Sequence, residues 1–348
     1  MSDDAIARAL ERATLLAARG PQRGGNPRVG CVLLDDTGQE IGAGWHRGAG
    51  TAHAEAAALA ASDPARVAGS TAVITLEPCH HTGRTPPCSR ALLAAGVRRV
   101  IYAAGDPDPR AAGGRAWLAA QGVDVSTARE AGVVPEIVGL AAELTRSWSA
   151  AVRRRRPWVL GKTATSLDGR VAAADGTSMW ITGAAARAHG HTVRADVDAI
   201  VVGTGTLLAD DPALTARGAD GTPVVDQPLR VVLGRRAVPE AAAVRQGPGP
   251  WLHLATQDIA AALDHLWERG ARRVLIEGGP TVLGAALRAG LVDELHSYLA
   301  PVLLGAGQPA VPDLGIGTLR DGLRWQRTET YHLGEDILIT ARRLEGAH

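Results

Sequence analysis

The chain is nearly devoid of lysine: of its 37 basic side chains, 36 are arginine and one, Lys162, is lysine. Phenylalanine is absent and aromatic residues make up 3% of the 348 positions, beside abundant alanine and glycine. A compositional bias that writes arginine wherever a generic cation suffices accounts for this. On that reading the surviving lysine marks a place where a compact ammonium matters, with chance survival as the alternative. Cysteine is scarce too. Three residues, Cys31, Cys79 and Cys88, argue against a disulfide framework and fit a reducing compartment. Neither sign of charge is in excess, and the formal net charge of +1 gives no reason to expect nonspecific binding to nucleic acid or a membrane surface. No apolar run approaches the roughly 18–20 residues that span a bilayer. The polar start Met1-Ser-Asp-Asp4 has no signal-peptide pattern, so the cytoplasm is the expected location.

What is present points to chemistry at one place first. His53-Ala-Glu55, Pro78-Cys79 and Cys88 supply one imidazole and two thiolates, a donor set that suits Zn²⁺ with a fourth position left for water. Glu55, two residues beyond the histidine, is placed to move protons and not to bind metal. H-x-E followed by P-C and a second Cys is the grammar of zinc-dependent base deaminases, in which the metal makes water nucleophilic near neutral pH. Here the two cysteines are separated by eight residues. Within that spacer His80 and His81 are rival ligands, but they fit the pocket or solvent better, and Arg84 suits an anionic substrate group or a solvated loop. A closed structural zinc site would need a fourth ligand, and there is no fourth cysteine. Cys31, in an apolar run, reads as a buried inert thiol.

A hydrophobic content of 46% supports ordinary cores, and the length predicts two domains. Helical spacing over 3–19, capped by Asp3 or Asp4, leads into a hairpin of strands 29–34 and 40–46. Helix 53–61, strand 72–76, helix 88–95, strand 98–103, helix 113–121, a strand at 123–125 and a helix over 130–150 follow, an α/β sandwich. His53 and Cys88 thus open helices, where free N–H groups favour thiolate over thiol. Ala151-Val-Arg-Arg-Arg-Arg-Pro157 reads as a solvated linker, with a nucleic-acid patch as the alternative. The domains are accordingly 1–150, linker 151–157, and 158–348.

In the second half, strands are expected at 158–164, 198–203, 229–233, 251–254, 274–277 and 294–299. Helices are expected at 183–194, 258–269 and 281–290, and a terminal hairpin around Gly334. Leu208–Leu214 reads as a polar-lined loop. Glu277-Gly-Gly-Pro-Thr281 is a strand–glycine–helix unit whose free N–H groups can meet phosphate, although it is not the dinucleotide fingerprint. Gly203-Thr-Gly-Thr206 makes a second such turn, and together they suggest a nucleotide cofactor.

By these residues the chain resembles the bifunctional riboflavin-biosynthesis deaminase/reductase family over nearly its full length. The first half carries Asn26-Pro-Arg-Val-Gly30, His53-Ala-Glu55, Thr75-Leu-Glu-Pro-Cys79 and Gly83-Arg-Thr-Pro-Pro-Cys88. The second carries Lys162, Ser166-Leu-Asp-Gly-Arg170, Trp180-Ile-Thr182, Leu208-Ala-Asp-Asp-Pro-Ala-Leu-Thr215 and Glu277-Gly-Gly-Pro-Thr281. The resemblance implies an α/β chain with an N-terminal cytidine-deaminase-like three-layer domain and a C-terminal dihydrofolate-reductase-like domain. It implies deamination of 2,5-diamino-6-(5-phosphoribosylamino)pyrimidin-4(3H)-one and then NADPH-dependent reduction of the ribose to ribityl. The partner would be this phosphorylated aminopyrimidine, with no nucleic acid or membrane, and the family is typically homo-oligomeric.

Carried over by position, His53, Cys79 and Cys88 would hold zinc and Glu55 would shuttle protons. Ala164, Trp180, Thr206, Asp210 and the segment Gly279, Pro280, Thr281, Val282, Leu283, Gly284 and Ala285 would line the NADPH site. Ser178, Arg194, Leu214, Arg217 and Glu277 would contact substrate, the two arginines facing its phosphate. Lys162 falls where the family also has lysine. Gly25 stands where a proline is common, and the spacer opens Cys-His-His-Thr-Gly where Cys-Ser-His-His-Gly is common; neither change touches a zinc ligand. The segment 235–257 looks short, at the adenosine end of the cofactor. Two rivals remain: a deaminase whose second half only binds or dimerises, which would fail to bind NADPH, and a nucleic-acid-editing deaminase using Arg153–Arg156, which would bind tRNA in a salt-sensitive way.

Overall fold

A computed structural model describes residues 2–82 and 86–344. Two compact units divide between Arg155 and Arg156. In the first, strands β1 (Gly30–Leu34), β2 (Glu40–Trp45), β3 (Thr71–Leu76), β4 (Arg99–Ala104) and β5 (Asp124–Thr127) form one sheet in the order β2-β1-β3-β4-β5. β1 runs antiparallel to both neighbours, as the hairpin reading requires, and β3, β4 and β5 are parallel. The central strand β3 is buried at all six positions because helices cover both faces. On one side α1 (Asp3–Ala17) and α6 (Pro135–Arg154) pack Ile6, Leu10, Leu16, Val138 and Ala141 against Val32, Val73 and Ile101. On the other, α2 (Ala54–Ala60), α4 (Cys88–Ala94) and α5 (Gly114–Ala120) pack Ala58, Leu92 and Leu118 against Cys31, Ile74 and Val100, with the short α3 (Pro64–Val67) alongside. The three layers expected from the sequence are therefore present, and Cys31 is a fully buried thiol.

Gly44 on β2 shows how closely the site-bearing helix sits. A Cβ there would stand 2.5 Å from the Ala58 nitrogen and 2.7 Å from the Ala54 carbonyl oxygen of α2. The missing side chain lets α2 lie directly on the sheet and fixes the height of His53 and Glu55 above it.

Two boundaries differ from the sequence expectation. Ser2, not Asp3 or Asp4, caps α1, its hydroxyl accepting from the Ala5 amide. The expected linker, 151–157, is mostly helix: α6 starts only at Pro135 but continues to Arg154, and the left-handed Arg155 closes it. Arg153 and Arg154 in the last turn complement the negative end of the helix dipole, which is why the basic run continues the helix instead of ending it.

The second unit holds β6 (Trp158–Ser166), β7 (Arg170–Ala172), β8 (Ala199–Gly203), β9 (Leu229–Leu233), β10 (Trp251–Leu254), β11 (Arg273–Glu277), β12 (Glu294–Ala300), β13 (Gln308–Pro309), β14 (Trp325–Leu333) and β15 (Asp336–Arg343). Eight of them form one sheet in the order β10-β9-β8-β11-β6-β12-β15-β14, and β13 pairs β7 apart from it. The first six of that order are parallel, and the terminal hairpin closes the edge antiparallel. One face is covered by α10 (Ile259–Glu268) and α11 (Pro280–Arg288) through Leu263, Leu266, Leu283 and Leu287. The other is covered by α7 (Ala184–Ala195), α8 (Thr204–Asp210) and α9 (Ala243–Gln246) through Val193, Leu207 and Val244. α8 corrects the loop expected over Leu208–Leu214. Its first turn follows Gly203 directly, and only Asp211–Leu214 leave the helix, through left-handed Asp211 and Leu214. No helix among the described residues is long and apolar enough to cross a membrane.

Candidate active sites

In the first unit three polar side chains meet where β3 ends and two helices begin. His53 is the residue capping α2, Cys79 follows β3, and Cys88 is the first residue of α4. His53 Nδ1 lies 3.6 Å from Cys79 Sγ and 3.3 Å from Cys88 Sγ. The three ligand atoms lie within 4.8 Å of one another. Tetrahedral Zn²⁺ with Zn–S of about 2.3 Å and Zn–N of about 2.0–2.1 Å places nitrogen and sulfur roughly 3.5 Å apart. The residues therefore fit the metal that their chemistry implies, and both sulfurs are buried. The Cys88 thiol, followed by the His53 ring, pulls Cys79 down to about 4, whereas hydrogen bonding to Cys79 and then burial push Cys88 up. The Cys88 amide also points at Cys79 Sγ, 3.4 Å away.

Glu55 is 4% exposed in the first turn of α2, and burial pushes its carboxyl up to about 7. A carboxyl poised there can take and return a proton at neutral pH. The two spacer histidines differ. His80 Nδ1 is 2.9 Å from Ser89 Oγ and its ring stacks on Trp117 with centroids 4.8 Å apart, so it is held away from the metal ligands. His81 keeps a buried Nδ1 without a hydrogen-bond partner among the described residues. Arg84 lies outside the described residues.

Sequence reasoning missed the groups behind His53. His46 sits edge-on to it at 5.4 Å, with Nδ1 on the Ala52 carbonyl at 3.1 Å and Nε2 3.0 Å from Asn26 Nδ2. That pairing puts the His46 proton on Nδ1 and explains the polar Asn26 beside an apolar strand. Asp106, after β4, whose carboxyl burial raises to about 6, and Glu77, after β3, which accepts from the Arg115 and Asp106 amides at 3.0 and 3.4 Å, lie beside the site. Acidic residues just past two neighbouring parallel strands were the available signal.

In the second unit a cavity of about 1110 Å³ opens at the carboxyl ends of the parallel strands, where ligands bind in sheets of this kind. It brings together almost every position carried over from the family: Ala164, Ser178, Trp180, Arg194, Thr206, Asp210, Leu214, Arg217, Glu277, Gly279, Pro280, Thr281, Val282, Leu283 and Ala285 all line it. Gly284 does not; it faces Pro312, whose Cγ would be 2.3 Å from a Cβ at that position. Trp180 and Leu214 hold left-handed φ values of 69° and 53°, strain of the kind that clusters at ligand sites. Arg187 stacks over the Trp180 ring at 4.1 Å, and Ser178 Oγ donates to Asp210 at 2.9 Å.

The charged centre of this cavity is Glu277. It ends β11 directly opposite Lys162 of β6. Lys162 Nζ donates to its Oε1 at 2.9 Å, while Arg194 donates from Nε to Oε2 at 2.7 Å and from Nη2 to Oε1 at 2.9 Å. Burial alone would raise the Glu277 carboxyl, but Arg194 and then Lys162 outweigh it and hold it well below the usual carboxylate range. Arg194 Nη1 also donates to the Thr215 carbonyl at 3.0 Å. Two cations against one carboxylate leave this end of the cavity electropositive, and the single lysine is one of them. Arg235, Arg236, Thr256 and Gln257 line the cavity too, and sequence reasoning did not find them. They follow β9 and β10, a position in the sheet that no sequence pattern displays while the strand order is unknown.

Known proteins match both halves. Residues 4–104 match the cytidine and deoxycytidylate deaminase zinc-binding region, and residues 157–339 match the RibD C-terminal domain. The riboflavin biosynthesis protein RibD of Mycobacterium tuberculosis (strain H37Rv) is 46% identical over 314 residues, 90% of either chain. That of Escherichia coli (strain K12) is 36% identical over 365 residues, 95% of this chain and 97% of the other. The structure of Acinetobacter baumannii RibD superposes with a TM-score of 0.89 at 35% identity, covering 99% of this chain and 100% of that one. The chain belongs to the RibD family of riboflavin-biosynthesis enzymes, in which a zinc-dependent deaminase of cytidine-deaminase type precedes an NADPH-dependent reductase.

Proposed function

We propose that the first unit hydrolyses the exocyclic amine of 2,5-diamino-6-(5-phosphoribosylamino)pyrimidin-4(3H)-one. The second would then reduce the ribose of the product to ribityl. The observation that carries the reading is the convergence of His53 Nδ1, Cys79 Sγ and Cys88 Sγ beside a buried Glu55, in one chain with a glycine-edged cavity centred on Glu277. His53, Cys79 and Cys88 hold Zn²⁺, which when bound supplies Lewis-acid activation of water. Glu55 accepts the water proton on its carboxylate and returns it to the ring nitrogen and then to the departing ammonia; its value near 7 suits both transfers. In sum water is consumed, ammonia leaves, and a ring carbonyl replaces the amine.

The second unit would hold NADPH, which when bound would supply hydride. Ala164, Trp180, Thr206, Asp210 and the segment Gly279–Ala285 cradle it, Gly284 acting through its packing on Pro312 and not by contact. Ser178, Leu214 and Glu277 orient the substrate, and Arg194 and Arg217 face its phosphate. Arg194 is already forked on Glu277, so Arg217, whose Nη1 holds only the Gly221 carbonyl at 2.9 Å, has the greater share of that contact. Lys162, whose Nζ donates to Glu277 Oε1 at 2.9 Å, lines the same cavity. The protein works on this small molecule, not on nucleic acid or at a membrane, as a homo-oligomer in the cytoplasm; the formal net charge of +1 supports the first point.

A coupled assay on the diaminopyrimidine phosphate, following ammonia and NADPH separately, tests the reading. Ammonia release that precedes NADPH oxidation is the expected result. Ammonia release with no NADPH binding at millimolar cofactor would leave a deaminase carrying an inert second unit.

A further inference from the structure

The wall that α7 gives to the cavity of the second unit is a single face of that helix. Arg187, Gly190, His191 and Arg194 stand at the spacing i, i+3, i+4 and i+7, and all four line the cavity. Arg187 stacks on Trp180, and Arg194 is forked on Glu277. Gly190 leaves room for Lys162, whose Nζ would lie 3.8 Å from a Cβ there. His191 stands between these groups, half-buried.

One nitrogen of its ring is committed. His191 Nδ1 lies 3.1 Å from the Thr215 carbonyl oxygen, which also accepts from Arg194 Nη1 at 3.0 Å. A carbonyl oxygen only accepts, so Nδ1 carries the proton, and in the neutral ring Nε2 carries the lone pair. Nε2 has no hydrogen-bond partner among the described residues and is not sealed from solvent, so it opens on the cavity that the ring lines. The segment it leans on is pinned from both sides. Leu214, just before Thr215, holds its left-handed φ of 53°, the Ala213 carbonyl accepts from the buried Arg230 at 3.3 Å, and the Ala216 amide donates to Gln227 Oε1 at 2.8 Å. The ring is thereby fixed against the loop that carries Leu214 and Arg217.

The charged groups lining the cavity around it are Arg187 and Arg194 on α7, Lys162 on β6, Glu277 at the end of β11, Asp210 at the end of α8, and Arg217. Burial and then the Arg194 guanidinium hold the imidazole below its ordinary value, with Arg217 adding to them against the Thr215 carbonyl and Glu277. The ring is therefore neutral at pH 7, an acceptor in a corner rich in donors. The two carboxylates are already engaged: Asp210 accepts from Ser178, and Glu277 from Lys162 and Arg194.

We propose that His191 is a substrate contact of the reductase unit, its Nε2 accepting a hydrogen bond from a hydroxyl of the phosphorylated sugar whose phosphate meets Arg217. The proposal deepens, and rests on, the reading that this cavity takes the phosphoribosyl group of the deaminated product. A sugar phosphate brings hydroxyl donors beside its anion. Guanidinium groups satisfy the anion but accept nothing from a hydroxyl, and Nε2 supplies the missing acceptor. A sugar lacking that hydroxyl would leave Nε2 unpaired, which selects against it.

The test is steady-state reduction of the deaminated product by the full chain at saturating NADPH, from pH 5 to pH 9, with ammonia release by the first unit as an internal control of folding. In H191F, KM for the phosphorylated substrate should rise roughly 5- to 20-fold with kcat little changed, and ammonia release should match wild type. H191Q keeps an acceptor but cannot titrate, and should recover part of the loss at pH 8. The pH profile separates contact from scaffolding. In wild type, kcat/KM should fall as pH drops through a value below the ordinary histidine pKa of about 6.5, because protonation removes the Nε2 lone pair. The same protonation leaves the Nδ1–H bond to Thr215 intact, so a purely structural histidine would not produce the fall. The substrate phosphate, with its second pKa of about 6, titrates alike in both chains, so the readout is the difference between the wild-type and H191Q profiles. An acid limb that survives unchanged in H191Q, or a wild-type KM in H191F, would overturn the proposal and leave the substrate reading standing. A wild-type chain that oxidises no NADPH in the presence of the deaminated product would overturn both.

Discussion

The two sites of this chain are made in opposite ways. The deaminase site is a set of side chains: one imidazole, two sulfurs and one carboxyl, contributed by the start of α2, the residues after β3 and the start of α4. The reductase cavity is mainly a shape, about 1110 Å³ of space along the ends of parallel strands, with backbone turns at Gly203–Thr206 and Gly278–Gly279 and a charge cluster at one end. A site of the first kind fails when one atom is removed. A site of the second kind fails by degrees, because binding is distributed over many contacts.

That contrast can be broken most sharply at Glu55. Glu55→Gln should lower kcat for ammonia release by on the order of 10²–10⁴ while zinc content, measured by atomic absorption, and NADPH binding stay at wild-type levels. Loss of metal in this variant would make Glu55 a ligand and not a proton carrier. A smaller effect is expected at Glu277. Glu277→Gln leaves Lys162 and Arg194 without their carboxylate, a loss of about 3 kcal/mol in stability of the second unit by denaturant titration. The Glu277 carboxyl is held below its ordinary value in the folded chain. Its stabilisation is therefore complete above the unfolded pKa of about 4.3 and fades as pH falls toward the folded value. The gap between wild type and Glu277→Gln should narrow below about pH 4.3; a gap that is constant from pH 7 to pH 3 would show that charge is not its source. The mildest change is expected at the cavity edge. Arg217→Ala should raise KM for the phosphorylated substrate of the reductase roughly tenfold with kcat little changed, and an unaltered KM would remove Arg217 from the phosphate contact.

The same contrast explains which features the sequence displays and which it hides. His53, Cys79 and Cys88 are legible because metal ligands must be particular residue types, and these stand at the ends of strongly patterned elements. The order of strands and helices is legible from runs such as Thr71–Leu76, buried throughout, and from the alternation of apolar strand and amphipathic helix. The placement of Arg235 and Arg236 on the cavity is not, because it depends on β9 lying next to β8, a fact of strand order and not of spacing. α8 is hidden for a related reason. Gly205 and the Asp210-Asp211-Pro212 run carry turn chemistry, yet Leu207 is buried against the sheet and holds the segment helical. The mistaken linker comes from weighing four arginines and a proline above the buried Ala150 and Ala151 that keep α6 intact.

The facing of Glu277 and Lys162 across β11 and β6 has a consequence for assembly of the chain. Along β11 the residue before Glu277 is Ile276, packed in the apolar layer under α10 and α11. A slip of β11 by one position against β6 would thrust the carboxylate into that oily layer and leave an isoleucine among cations. One acidic side chain therefore penalises misaligned pairing of these two strands.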